Sequence, residues 1–219
     1  MGKPISNGKC AVCGQTFSKR QMTKHLQSCL RSETSDKAPG RKEKMFHLVV
    51  EGRGMTAYWL HLLVSAEATL LDLDDFLRDI WLECCGHLSA FHIGERTFSV
   101  EPDEDYGDES METELEAVLS PGLRFGHEYD FGSTTELTLK VLSELEGEIG
   151  PEPVRLLAGN EPPTILCACG KPATQVCTQC IYGGEGWLCS ECADKHKCGE
   201  EMLLPVVNSP RVGVCAYGG

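Results

Sequence analysis

The chain has 219 residues, 41% of them hydrophobic, and carries 20 Lys/Arg against 33 Asp/Glu for a formal charge of -13. This length supports one well-buried domain with small satellites rather than two large domains. No run of eighteen apolar residues occurs and the opening MGKPISNGKC is polar and basic, which argues against a spanning helix or a secretory leader and predicts a soluble, cytoplasmic protein with no membrane partner. Thirteen cysteines in a reducing compartment point to bound metal rather than disulfides. The charge is split: residues 1–44 hold ten Lys/Arg against three Asp/Glu, leaving ten against thirty in the remainder. The head is thus basic, and the strongly acidic body is a poor non-specific ligand for nucleic acid.

The head contains Cys10-x2-Cys13-x11-His25-x3-Cys29, with Phe17 and Met22 where a small ββα unit needs apolar residues against its helix. A two-residue gap places a cysteine pair on one turn, and His25 and Cys29 share a helix face, so four N or S donors can converge on one tetrahedral ion. The expectation is a CCHC-type zinc finger over residues 1–30. Lys3, Lys9, Lys19, Arg20 and Lys24 make it basic, and Ser18, Arg20 and Gln21 fall near the helix start, where base-reading side chains would lie. One finger reads only about 3 bp, so a protein partner competes with nucleic acid for the same surface.

Residues 31–44, RSETSDKAPGRKEK, have no apolar period and read as a flexible basic linker. Residues 45–51 and 57–65 alternate as two strands, with Phe46, Leu48 and Val50 on one face and Tyr58, Leu60, Leu62 and Val64 likewise, joined by a turn at Gly52, Arg53 and Gly54. A helix follows, capped by Thr69 with Asp72 completing a capping box, and striped by Leu73, Phe76, Leu77, Ile80 and Trp81 as far as about Gly86. Further strands are predicted at 88–93, 96–100, 123–131 and 135–142. The stretch 101–116, with nine acids and no base, reads as a solvated loop leading into a short helix at 112–119. Pro151, Pro153, Pro162 and Pro163 mark the exit from a 45–150 core. The predicted class is α+β: a small sheet packed on one main helix, flanked by zinc-stabilised modules at both termini.

Residues 161–200 offer eight further ligands, Cys167, Cys169, Cys177, Cys180, Cys189, Cys192, His196 and Cys198, followed by a tail over 201–219. Eight ligands imply two ions. In a cross-brace, Cys167, Cys169, Cys189 and Cys192 hold one, and Cys177, Cys180, His196 and Cys198 the other; a sequential pairing fits the spacing as well. The rhythm of short and long gaps resembles B-box-type zinc modules, departing from them at the one-residue gaps 167/169 and 196/198. About three structural zinc ions per chain are therefore expected, each closed by four protein donors. Their thiolates would take the formal charge from -13 to -17.

Tyr58-Trp59-Leu60-His61-Leu62, Thr69-Leu70-Leu71-Asp72-Leu73, His87-Leu88-Ser89-Ala90-Phe91-His92-Ile93 and Tyr129-Asp130-Phe131-Gly132 together resemble the Ri-plasmid open-reading-frame-three-like family, also described as transposase-associated TnpA-like. The resemblance implies a compact α+β fold and a plasmid or transposon association. The chain departs from that pattern at Ser89, Ser133 and Thr135, where the family usually carries histidine, aspartate and tryptophan.

His47, His61, His87, His92 and His127, with Glu128 and Asp130, could supply a metal-dependent hydrolase or nuclease. Strand parity, however, points His127 away from Glu128 and Asp130. Cys84, Cys85 and Cys215 read as packing residues, and no small-molecule substrate is indicated. The leading expectation is a zinc-dependent binding or adaptor protein whose finger docks nucleic acid or a protein partner. The alternatives are the hydrolase and a regulatory protein-interaction factor without nucleic-acid binding.

Overall fold

Apolar residues at both parities of the two central strands decide the architecture, because such strands must be covered on both faces. The computed structural model describes residues 6–35, 43–147 and 150–219. Its elements begin with β1 (Asn7–Cys10), β2 (Thr16–Ser18), α1 (Lys19–Ser35), β3 (Glu43–Gly52), β4 (Met55–Ser65) and α2 (Leu70–Leu77). They continue with β5 (Ser89–Ile93), β6 (Arg96–Ser99), β7 (Glu109–Ser110), α3 (Leu115–Val118), β8 (Arg124–Tyr129), β9 (Thr135–Gly147) and β10 (Val154–Asn160). The C-terminal part holds β11 (Gln175–Cys177), β12 (Trp187–Leu188), α4 (Ser190–Ala193) and β13 (Leu203–Pro205).

Among the described residues, ten strands form one sheet in the order β2-β1-β10-β4-β3-β9-β8-β5-β6-β7, antiparallel except for the β6–β7 pair. The expected small sheet on one main helix is therefore corrected to a large mixed sheet with few helices. The stretch read as the exit from the core supplies β10, which pairs with β4 on one side and with β1 of the head on the other. Helix α1 runs five residues into the range read as linker, and residues 36–42 of that range lie outside the described residues.

Phe46, Leu48, Val50, Tyr58, Leu60, Leu62 and Val64 face the main core, where Leu70, Leu73, Leu77 and Trp81 cover them. Met45, Trp59 and Leu63, at the opposite parity, face Met22, Leu26, Cys29 and Leu30 of α1 together with Leu157 and Ala158 of β10. The head thus covers the second face of the sheet, burying Met22, Leu26 and Leu30 at roughly 1.5–3 kcal/mol each. Gly8 permits this close approach: a Cβ there would lie 2.3 Å from the Gly159 carbonyl and 2.4 Å from the Trp59 ring.

Thr69 caps α2 as expected, accepting from the Asp72 N–H at 3.1 Å while Asp72 accepts from the Thr69 N–H at 2.7 Å. The helix then widens into a π-turn over Arg78–Leu82 and stops short of the predicted end near Gly86. In the main core, Val176 and Val212 pack with the strand residues, so the C-terminal unit shares that core.

On the α1 side, His47 Nε2 and His61 Nδ1 lie 2.9 Å apart, both buried, and His61 Nε2 reaches Thr23 Oγ1 of α1 at 3.4 Å. With both rings neutral, one shared proton satisfies the pair, whereas charging both rings would set two N–H donors against each other. Burial holds His47 at about 4; burial, then His47 and Lys19, holds His61 at about 3. In the unfolded chain both titrate near 6.5, so as pH falls below that value the unfolded state takes up protons first. This contribution is complete above pH 6.5 and drains as pH falls towards the folded values. Denaturant titrations should show about 2 kcal/mol lost from this pair between pH 6.5 and 5.5. A His47→Gln/His61→Gln variant should lack that part of the slope; a variant retaining the full slope would contradict this assignment.

Candidate metal centres

In the head, Cys10 closes β1 and Cys13 follows in a tight turn where Gly14 adopts φ 74°, with the Gly14 N–H donating to the Cys10 carbonyl at 2.8 Å. Helix α1 then presents His25 and Cys29 one turn apart. The ligand atoms of all four residues lie within 4.8 Å of one another, with Cys13 Sγ 3.3 Å from His25 Nε2. A tetrahedral ion with bonds of about 2.3 Å to sulfur and 2.0 Å to nitrogen sets S···S near 3.8 Å and S···N near 3.5 Å, so the donors fit zinc. Phe17 stacks on the His25 ring at 4.3 Å and fixes its orientation. Burial, then the Cys10 charge, pushes the Cys29 thiol up to about 12. Crowded thiolates of this kind are stabilised by a divalent cation.

The C-terminal donors assemble in the interleaved manner. Cys167, Cys169, Cys189 and Cys192 converge, as do Cys177, Cys180, His196 and Cys198. Cys169 and Cys189 Sγ are 3.6 Å apart, Cys180 and Cys198 Sγ 3.6 Å, and Cys180 Sγ lies 3.5 Å from His196 Nε2, again close to tetrahedral spacing. The small sheet, ordered β12-β11-β13, carries Cys177 at the end of β11 and leads from β12 into Cys189 at the start of α4. Backbone N–H groups of Cys169, then of Cys189, hold the Cys167 thiol down at about 6. Each of these three groups, including the head's, supplies four protein donors.

A fourth group escaped the sequence analysis. Cys84, Cys85, His87 and Cys215 bring their donor atoms within 4.8 Å of one another. The reading of these cysteines as packing residues holds for Cys84, which packs against the main core, and is corrected for Cys85 and Cys215, which are exposed and whose sulfurs face each other at 3.8 Å. The local signal, Cys-Cys-x-His after an amphipathic helix, was present in the sequence, but its fourth member is 128 residues further on.

The core histidines divide among separate partners. Buried His127 Nε2 lies 2.6 Å from Asp74 Oδ1, and Asp74 Oδ2 accepts from Arg78 Nε and from Ser89 Oγ, each at 2.8 Å. His92 sits 3.5 Å from Glu128, and His87 sits 3.5 Å from Asp130. An open cleft of about 290 Å³ is lined by His92, His127 and Glu128 with Arg53 and Glu136, and it does not include Asp130. Among the described residues, none of the converging donor groups falls in this cleft.

Around the fourth group, fully buried Arg211 donates to Asp130 Oδ2 at 2.7 Å, Thr135 Oγ1 at 3.0 Å and Cys84 Sγ at 3.4 Å. Its guanidinium lies 4.8 Å from the Tyr129 ring, over which Arg78 also stacks at 4.9 Å. Asp130 holds a left-handed φ of 66° and accepts from the N–H groups of Gly132 and Ser133. Against burial, Arg211 and those two N–H groups hold its carboxyl at about 2. Removing one member of a buried pair strands the other charge, so Arg211→Met should destabilise the protein by roughly 3 kcal/mol in thermal or denaturant unfolding. The double variant Arg211→Met/Asp130→Asn should recover a substantial part; simple additivity of the two losses would show that the pair is not coupled.

On the outer surface of α1, Arg20, Gln21, Lys24 and Gln27 are exposed. Lys19 is paired with Glu51, and the Gln21 amide oxygen accepts from the Ser18 hydroxyl and N–H at 2.6 and 3.2 Å. Of the expected contact residues, Arg20 and Lys24 therefore remain as exposed cations on the helix, and Lys3 lies outside the described residues.

No family model and no curated protein matches the chain. Among solved structures, the chain is similar to a protein of unknown function from Methanosarcina mazei Go1, with 22% identity and a TM-score of 0.47 over 53% of this chain and 69% of that one.

Proposed function

We propose that the chain is a zinc-dependent binding or adaptor protein, cytoplasmic and of the plasmid- and transposon-associated type that its central motifs resemble. Zinc at Cys10/Cys13/His25/Cys29, Cys167/Cys169/Cys189/Cys192 and Cys177/Cys180/His196/Cys198 holds the two ends in shape. The outer face of α1 docks a polyanionic partner, nucleic acid in the first instance. The observation that supports this reading is that each of these groups brings four protein donors within 4.8 Å of one another, the number that fills a tetrahedral scaffold zinc and leaves no place for an activated water. With the apolar face of α1 buried against β4 and β10, the described side chains left for a partner include Arg20, Gln21, Lys24, Gln27 and Ser28. Arg20 and Lys24, the exposed cations among the described residues of this helix, give phosphate attraction with little sequence discrimination.

Fluorescence anisotropy of labelled single- and double-stranded DNA and RNA, at two salt concentrations, tests the reading. Arg20→Ala/Lys24→Ala should weaken binding and reduce the slope of log K against log salt by about 2, while leaving the fold and metal content unchanged. Absence of binding to every probe would end the nucleic-acid reading and leave a protein partner for the same face.

A further inference from the structure

We propose that Cys84, Cys85, His87 and Cys215 form a fourth zinc site, an exposed clasp that fastens the C-terminal segment to the end of the core helix and exchanges its ion more readily than the other three. Three of the four donor spacings match a tetrahedral shell of three sulfurs and one nitrogen, with Cys84 and Cys85 Sγ 3.7 Å apart, Cys85 and Cys215 Sγ 3.8 Å, and His87 Nε2 3.6 Å from Cys215 Sγ, while His87 Nε2 lies closer to Cys85 Sγ, at 3.0 Å. These spacings resemble those of the other groups.

Independent features aim the donors at this point. Cys215 is one of two non-glycine residues with positive φ among the described residues, at 54°, a conformation that costs energy unless its surroundings enforce it. Gly86, with φ 76°, turns the chain so that Cys85 and His87 face the same point. Cys84 and Cys85 follow directly on the π-turn over Arg78–Leu82 and its cap Glu83, and Tyr129 Oη accepts from the Cys84 and His87 N–H groups at 3.4 and 3.3 Å, holding that loop. Three thiolates and a divalent ion carry net charge -1, and Arg211 lies against Cys84 as its counter-charge.

The site also differs from the others. Each of the other groups has at least one buried cysteine, whereas here Cys85 and Cys215 are exposed and Cys84 and His87 only partly covered. Solvent and competing chelators therefore reach this ion first. Its release would loosen residues 213–216, because residues 209–212 are held separately by Ser209 bonding the Trp81 carbonyl, by buried Arg211 and by Val212 in the core, and Tyr217 beyond them is itself buried. This assignment does not depend on what α1 binds.

Metal analysis of the full chain purified with zinc should give four ions, falling to three in Cys215→Ser and, as a second variant, in Cys85→Ser. Chelator-induced release from the unsubstituted chain should show one fast ion that is missing in both variants. Hydrogen exchange over residues 213–216 should accelerate on the order of tenfold when that ion leaves, with the head and the cross-braced module unchanged. Three ions in the unsubstituted chain and in both variants, or a Cys85–Cys215 disulfide in peptide mapping in place of the fourth ion, would overturn the proposal.

Discussion

Neither end of this chain can bury enough apolar surface to hold itself folded, and both ends depend on the central sheet. A segment of about thirty residues falls below the size at which a hydrophobic core alone suffices. The head meets this limit by donating β1 to the sheet edge at β10 and laying Met22, Leu26 and Leu30 of α1 over Trp59 and Leu63. The C-terminal unit meets it by sending Val176 and Val212 into the main core. Convergent thiols then fix the turns that packing leaves undetermined. Three of the four donor groups lie in the two ends, whose own buried clusters are small, and the fourth joins the end of the core helix to the C-terminal segment.

A second set of constraints runs through charged groups in the core. Arg78 and Arg211 both stack over Tyr129; Arg78 binds Asp74, which also holds His127 and Ser89, and Arg211 binds Asp130. Segments distant in sequence, from α2 to the C-terminal residues, are tied together through that one aromatic ring. Buried ionic groups add specificity of arrangement rather than large net stability, since their desolvation offsets most of the attraction. Of the histidines and carboxylates that suggest a hydrolase in the sequence, His47 pairs with His61 and His127 with Asp74 inside the protein, while His92 and Glu128 line the open cleft.

Much of this was legible because the chemistry is local. The CxxC and HxxxC spacing of the head, the capping box at Thr69 and Asp72, the β3–β4 hairpin around Gly54 and the identity of the tail ligands rest on neighbours close in the chain, where period and spacing speak directly, whereas the spacing left interleaved and sequential pairing of the tail equally open. What was missed is long-range. A reading that gives each strand one apolar face assigns Phe46, Leu48 and Val50 inward and leaves Met45 and Val49 unexplained, so the second covered face and the recruitment of β10 and β1 stayed hidden. Val154–Asn160 lies among prolines that suggested an exit from the core, although Pro153 and Pro162 only bracket the strand. Cys215 could not be joined to Cys84, Cys85 and His87 because no local pattern spans that distance.

The cysteine and histidine groups are proposed to hold closed, four-coordinate metal. X-ray absorption at the zinc edge of the purified full chain reads that coordination directly. The expected result is a four-coordinate shell averaging about three sulfurs at about 2.3 Å and one nitrogen at about 2.0 Å, with no oxygen ligand. A shell containing water or carboxylate oxygen, five- or six-coordinate zinc, or a folded chain without bound metal would contradict it.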